Sequence, residues 1–130
     1  MLKSDWVSMR HCLVVDDSPL VRKVAGFLVE DLDFTVAEAG NAAEALDYCR
    51  GSMPDVILLD ADLPENSAIS FMTELRREAQ GAKPVIVVCV VEKNMQQITE
   101  AGAAGANTYL LKPFDARTLR AKFAKVGLAA

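Results

Sequence analysis

Four short apolar runs constrain this chain most: Cys12-Leu13-Val14-Val15, Val56-Ile57-Leu58-Leu59, Val85 to Val91, and Thr108-Tyr109-Leu110-Leu111. A weaker fifth lies at Phe34-Thr35-Val36-Ala37. Each is too short for an ordinary helix and rich in β-branched or aromatic residues. The four stronger runs do not alternate apolar with polar, which predicts strands covered by helices on both faces. Five buried parallel strands are expected.

The intervening segments carry helical spacing. Ser18 is an N-cap with Pro19 at the first helical position, and Leu20, Val21, Val24, Phe27 and Leu28 form the apolar face of a first helix. Asn41 and Glu44 have the spacing of a capping box before Ala45, Leu46 and Cys49, and Gly51 stands at that helix's end. A third helix carries Ile69, Met72 and Leu75. Asn94 caps a fourth with Met95, Ile98 and Ala101, weakened by Gly102 and Gly105. Asp115 caps a fifth whose apolar face is Leu119, Phe123 and Val126. Strict alternation beginning with a strand predicts an α/β fold, an open, doubly wound, five-stranded parallel sheet with right-handed crossovers. Residues 1–10 precede the pattern and are expected to form an N-terminal extension, with Trp6 packing back on the surface. Residues 11–130 form one domain, and the chain of 130 residues is long enough to bury a core without disulfides or a structural metal.

Composition narrows the function. A net charge of −4 provides no field that draws the chain to nucleic acid, so no nucleic-acid partner is expected. No apolar stretch approaches the roughly 20 residues of a membrane span, and Met1 to Trp6 lacks a signal-peptide apolar region, so the expected compartment is the cytoplasm with no membrane partner. Cys12, Cys49 and Cys89 are widely spaced and odd in number, reading as reduced, buried thiols. His11, the only histidine, has no ligand-type spacing around it and reads as structural.

The chemistry lies in the carboxylates. Asp16 and Asp17 follow the first strand and Asp60 the third, so all three emerge at carboxyl ends of parallel strands, where open α/β sheets bind ligands. Carboxylates converging in one crevice repel each other, and a hard cation with oxygen ligands relieves that; Mg²⁺ is the expected ion. Lys112 ends the fifth strand at the same edge, where its charge neutralises a carboxylate or grips a phosphoryl oxygen. The Lys112–Pro113 bond is a candidate for the cis form.

Three segments together resemble the receiver domains of two-component response regulators, especially single-domain ones of the chemotaxis type, over roughly residues 11–127. They are Leu13 to Ser18, Pro54 to Asp60 with Leu63-Pro64, and Gly105 to Phe114. The resemblance implies the flavodoxin-like (βα)5 receiver fold and a phosphoryl group accepted on Asp60. It implies Mg²⁺ held by Asp17, Asp60 and the backbone carbonyl of Asp62, with Asp16 acting through water. Lys112 would contact the phosphoryl group. The donor would be a sensor histidine kinase, a histidine phosphotransfer protein or acetyl phosphate. Output would pass to a downstream protein through the face of the fourth helix, fifth strand and fifth helix, which includes Tyr109.

Two departures from the family pattern stand out. The family couples the phosphoryl group to a Ser or Thr ending strand four; counting back from Lys112 puts Val90 there, and counting forward from Pro84 puts Cys89 there. Either loses a hydroxyl donor, which predicts intact phosphorylation chemistry with a weakened or rewired switch. Ala68 occupies the place of a usual glycine, and would be strained by about 1 kcal/mol if that position needs positive φ. Asp62 and Glu92 flank the expected site and bear on the lifetime of an aspartyl phosphate. Two rival readings exist. The run Ile57 to Asp62 mimics the D-x-D nucleophile motif of haloacid-dehalogenase-type phosphatases, but there the metal-binding acidic pair follows D-x-D rather than preceding it. The other rival is a pseudo-receiver, a binding module that keeps the fold and works without phosphorylation.

Overall fold

A computed structural model describes residues 10–128. Five strands, β1 (Arg10–Val15), β2 (Phe34–Ala39), β3 (Val56–Asp60), β4 (Val85–Val90) and β5 (Thr108–Leu111), form one parallel sheet in the order β2-β1-β3-β4-β5. Between and after them run α1 (Pro19–Glu30), α2 (Ala42–Gly51), α3 (Ser67–Arg77), α4 (Met95–Ala104) and α5 (Ala116–Lys125). This is the doubly wound, flavodoxin-like architecture expected from the alternation of runs. β1 begins at Arg10, which pairs with Phe34, so the strand starts inside the stretch expected to be an extension. The expectation for Trp6 lies outside the described residues.

The pleat sorts the core into two layers, because successive side chains on a strand point to opposite faces. Leu13, Val15, Ile57, Leu59, Ile86 and Val88 face one way and are covered by Ala45 and Cys49 of α2, Phe71, Met72 and Leu75 of α3, and Ala101 of α4. Cys12, Val14, Val56, Leu58, Val87, Cys89 and Leu110 face the other way, under Ala25 and Val29 of α1 and Leu119 and Phe123 of α5. All three cysteines are free and buried.

Four of the helices start on the side-chain caps expected of them. Ser18 Oγ accepts from the Val21 N–H, and Asn41, Asn94 and Asp115 accept from the N–H groups of Glu44, Gln97 and Thr118. The Glu44 carboxylate reaches back to the Gly40 N–H at 2.8 Å, one residue earlier than in a standard capping box. His11 stacks on Tyr48 with ring centroids 5.5 Å apart, hydrogen-bonds to its hydroxyl, and lies within hydrogen-bond distance of Thr35, a structural role as expected.

The apolar face of α1 differs from the expected one. Its buried residues are Ala25, Gly26 and Val29, whereas Leu20, Val24 and Phe27 are 73%, 52% and 68% exposed. Both sides of this helix carry apolar residues at helical spacing, and the smaller set is the one that fits against the sheet: a Cβ on Gly26 would stand 3.5 Å from Val36.

Candidate acidic site at the carboxyl edge of the sheet

The same pleat builds the site. Cys12, Val14 and Asp16 share one face of β1 and its exit; Leu58 and Asp60 share that face on β3, Cys89 on β4, and Leu110 and Lys112 on β5. Continuing each buried row past the carboxyl edge therefore brings Asp16, Asp60, Cys89 and Lys112 to one place. Carboxylate oxygens of Asp16, Asp17 and Asp60 lie within 4.8 Å of one another. Asp16 and Asp60 are buried and Asp17 is exposed.

Asp16 is held on every side. Its N–H donates to Ala39 O at 3.2 Å, its carbonyl accepts from Arg22 Nη1 at 2.7 Å, its Oδ1 accepts from the Ser18 N–H at 2.9 Å, and its Oδ2 accepts from Lys112 Nζ at 3.0 Å. Arg22 is fixed in turn by Glu38, which it meets at 3.0 Å. Sequence reasoning passed over Arg22 and Glu38; the available signal was a cation in the first helix, five residues after the acidic pair.

Asp60 Oδ1 accepts the Asp62 N–H at 2.9 Å and Lys112 Nζ at 3.3 Å. Burial pushes the Asp60 carboxyl above the usual carboxylate range, opposed by the Asp62 N–H and by the charge of Lys112. Burial also works against the Lys112 ammonium, but its bond to Asp16 and the charge of Asp60 outweigh that and hold it above the ordinary lysine value. Lys112 is thus a tethered cation between two buried carboxylates, followed by a cis Lys112–Pro113 peptide.

The remaining expected residues divide. Cys89 pairs with Asp60 in the β3–β4 register, and the Ala61 N–H donates to Cys89 O at 2.9 Å. Val90 pairs with Leu111 and by the pleat faces away from Asp60. Burial pushes the Cys89 thiol up to about 12, so it stays neutral. Asp62 is exposed, and its Oδ1 accepts from Gln97 Nε2 at 2.9 Å. Tyr109 is half-buried on the opposite face of β5, with Lys122 Nζ 4.8 Å from its ring centroid. Ala68 is buried in the first turn of α3 with helical backbone; the left-handed residues of this loop are Glu65 (φ 62°) and Asn66 (φ 58°). The strain expected at Ala68 therefore falls on Glu65, since asparagine tolerates that region better.

An all-oxygen set of three clustered carboxylates, two of them buried, fits a hard divalent cation such as Mg²⁺, and the lysine already placed between two of them shows that the cluster takes positive charge.

Residues 12–124 match the family described as the response regulator receiver domain. The chain is 31% identical over 115 residues to the chemotaxis protein CheY of Pseudomonas aeruginosa, covering 88% of this chain and 93% of that one. Among solved structures it is similar to CheY4 of Vibrio cholerae, with a TM-score of 0.86 and 28% identity over 92% of this chain and 99% of that one. It shares the fold of the receiver domain of the sensor histidine kinase PA1611 of P. aeruginosa, described with a magnesium ion coordinated in its active-site cleft (TM-score 0.81, 24% identity, 91% of this chain and 97% of that one).

Proposed function

The chain belongs to the response regulator receiver family, and on that premise we propose that it accepts a phosphoryl group on Asp60. The observation that carries this reading is Lys112 Nζ tethered 3.0 Å from Asp16 and 3.3 Å from Asp60, above three carboxylates whose oxygens lie within 4.8 Å. Asp17 and Asp60, with the Asp62 backbone carbonyl, would hold Mg²⁺, and Asp16 would act through water. The magnesium described for the PA1611 receiver supports that assignment. When bound, the ion supplies charge neutralisation for the transferring phosphoryl oxygens.

The chain's own residues do the rest. Asp60 is fixed by the Asp62 N–H, so its carboxylate waits in a set position for in-line attack. An Asp60 oxygen bonds to phosphorus as the bond to the donor, the P–N bond of a phosphohistidine or the P–O bond of acetyl phosphate, breaks. Lys112 moves its charge from the Asp60 carboxylate to the incoming phosphoryl oxygens. Donors of this class are a sensor histidine kinase or a histidine phosphotransfer protein in the cytoplasm. Output passes to a protein partner over α4, β5 and α5, where Tyr109 lies under Lys122. No nucleic-acid contact is needed. The receiver is a signalling domain that catalyses only its own phosphoryl transfer and hydrolysis.

Cys89 opposite Asp60 favours a second reading, a pseudo-receiver that works without phosphorylation, because a neutral thiol is a weak donor to a phosphoryl oxygen. Intact-mass measurement after incubation with acetyl phosphate and Mg²⁺ separates the two. A phosphoryl adduct on the wild type, absent from Asp60→Asn and from an EDTA control, supports the receiver. Absence of the adduct with acetyl phosphate and with a phosphohistidine donor supports the pseudo-receiver.

A further inference from the structure

Helix α1 presents an apolar stripe to solvent. Leu20, Val24 and Phe27 stand at the i, i+4, i+7 spacing of a helix–helix seam and are 73%, 52% and 68% exposed. One border of the stripe continues into an apolar groove of about 440 Å³ lined by Val21, Leu28, Pro113 and Phe114. The other border is charged, with Lys23 and Glu30 one above the other, seven residues apart. We infer that this stripe is the seam of a homodimer in which α1 of one copy packs antiparallel on α1 of a second copy about a twofold axis passing between Val24 and Phe27.

The charges choose this occupant. A twofold perpendicular to two antiparallel helices brings each flank against the same flank of the other copy. Centred between residues 24 and 27, the arrangement places Lys23 of one copy about two residues, roughly 3 Å along the axis, from the partner's Glu30. The same pair repeats across the axis. Val24 meets the partner's Phe27, and Phe27 meets the partner's Val24. A parallel pairing, whose twofold runs along the helices, would instead set Lys23 and Glu30 against the partner's apolar border of Val21 and Leu28. Within one copy Lys23 already touches Glu38 at 3.0 Å while remaining 69% exposed, so it reaches outward without losing its own strand. Leu20 lies three residues beyond Asp17, so such a dimer also covers the α1 side of the acidic site.

Sedimentation velocity over a concentration series reads the result directly. The wild type forms a reversible dimer, Phe27→Glu is monomeric, and Glu30→Lys weakens the dimer about tenfold because the lost pair occurs twice. The double variant Lys23→Glu/Glu30→Lys recovers most of the loss, with thermal melts confirming that every variant is folded. A wild type that stays monomeric up to roughly millimolar concentration overturns the inference. So does a dimer that survives Phe27→Glu, or single and double reversals that dimerise equally. A monomer whose Phe27→Glu variant slows uptake from a phosphohistidine donor but not from acetyl phosphate gives the face to the donor instead, and likewise overturns it.

Discussion

Lys112 Nζ donates to Asp16 Oδ2 at 3.0 Å across 96 positions of sequence, and the partners come from the first and last strands of the chain. That bond, with the one to Asp60, sets one cation against two buried carboxylates and leaves the cluster with a net negative charge. Lys112→Met removes the cation and leaves two buried carboxylates facing each other. We expect a loss of about 1–3 kcal/mol in urea unfolding without divalent ions. Mg²⁺ restores a larger share of stability to the variant than it adds to the wild type. Because the folded state holds this lysine above its ordinary pKa, the ion pair's contribution is complete at neutral pH and is lost only as the pH rises through the raised value.

Asp60 behaves oppositely. Burial raises its carboxyl, so the native state binds the proton more tightly than the unfolded chain does. Stability therefore falls as pH rises from the ordinary carboxylate range through the raised value, and the deficit is complete above it. Asp60→Asn removes this cost: its urea midpoint exceeds the wild type's at pH 7 in EDTA, and the advantage shrinks as pH is lowered. A variant no more stable than wild type at pH 7 would sink the argument.

The metal reading predicts a stability linkage. At tenfold excess over its dissociation constant, Mg²⁺ adds about 1.4 kcal/mol by mass action. Asp17→Asn weakens binding at least tenfold in calorimetric titration while leaving metal-free stability nearly unchanged, because Asp17 is exposed and makes no side-chain bond among the described residues. Gln97→Ala frees the Asp62 side chain without touching the cluster, and leaves Mg²⁺ affinity as it was.

Much of this site was legible because strand periodicity is a strict period of two. Once Val14, Leu58 and Leu110 are placed in the core, Asp16, Asp60 and Lys112 must share their face. The same rule decides between Cys89 and Val90, but only after the β3–β4 register is known, and two counts from Pro84 and Lys112 differ by one residue. The count back from Lys112 crosses all of α4 and both of its connections, whose lengths the strand period does not fix. Helix α1 was misread for a different reason. A 3.6-residue period locates apolar stripes without saying which one meets the sheet, and α1 has two: the small Ala25-Gly26-Val29 set that fits, and the bulkier Leu20-Val24-Phe27 set that does not.

Cys89 offers a test of the switch. A neutral thiol beside Asp60 gives a phosphoryl oxygen little to hold, whereas Cys89→Thr supplies a hydroxyl of suitable reach on a residue that favours strands. The expected result is that phosphorylation moves the Tyr109 and Lys122 NMR resonances more in Cys89→Thr than in the wild type. Equal shifts in the two would show that strand four does not relay the signal through this position.

Arg76, which sequence reasoning passed over, carries the last prediction. Its guanidinium donates to Gly81 O and Pro84 O at 2.8 Å each, to Gly105 O at 2.6 Å and to Asn107 Oδ1 at 3.0 Å, tying α3 to the starts of β4 and β5. Asn107 Oδ1 also accepts the Ile86 N–H at 2.8 Å. Gly105, at φ 129°, lets the chain come this near, since a Cβ there would stand 2.8 Å from Arg76 Cγ. A planar fork satisfies several acceptors spread over two loops, and a lysine ammonium, a single point on a flexible stem, does not. Arg76→Lys should therefore lose about 2 kcal/mol in urea unfolding, nearly as much as Arg76→Met, because most of the cost is carbonyls left without donors rather than a lost charge. The site lies at the other edge of the sheet, so Mg²⁺ affinity and phosphoryl uptake by the folded fraction should match the wild type. A lysine variant as stable as the wild type would mean that water already serves those carbonyls.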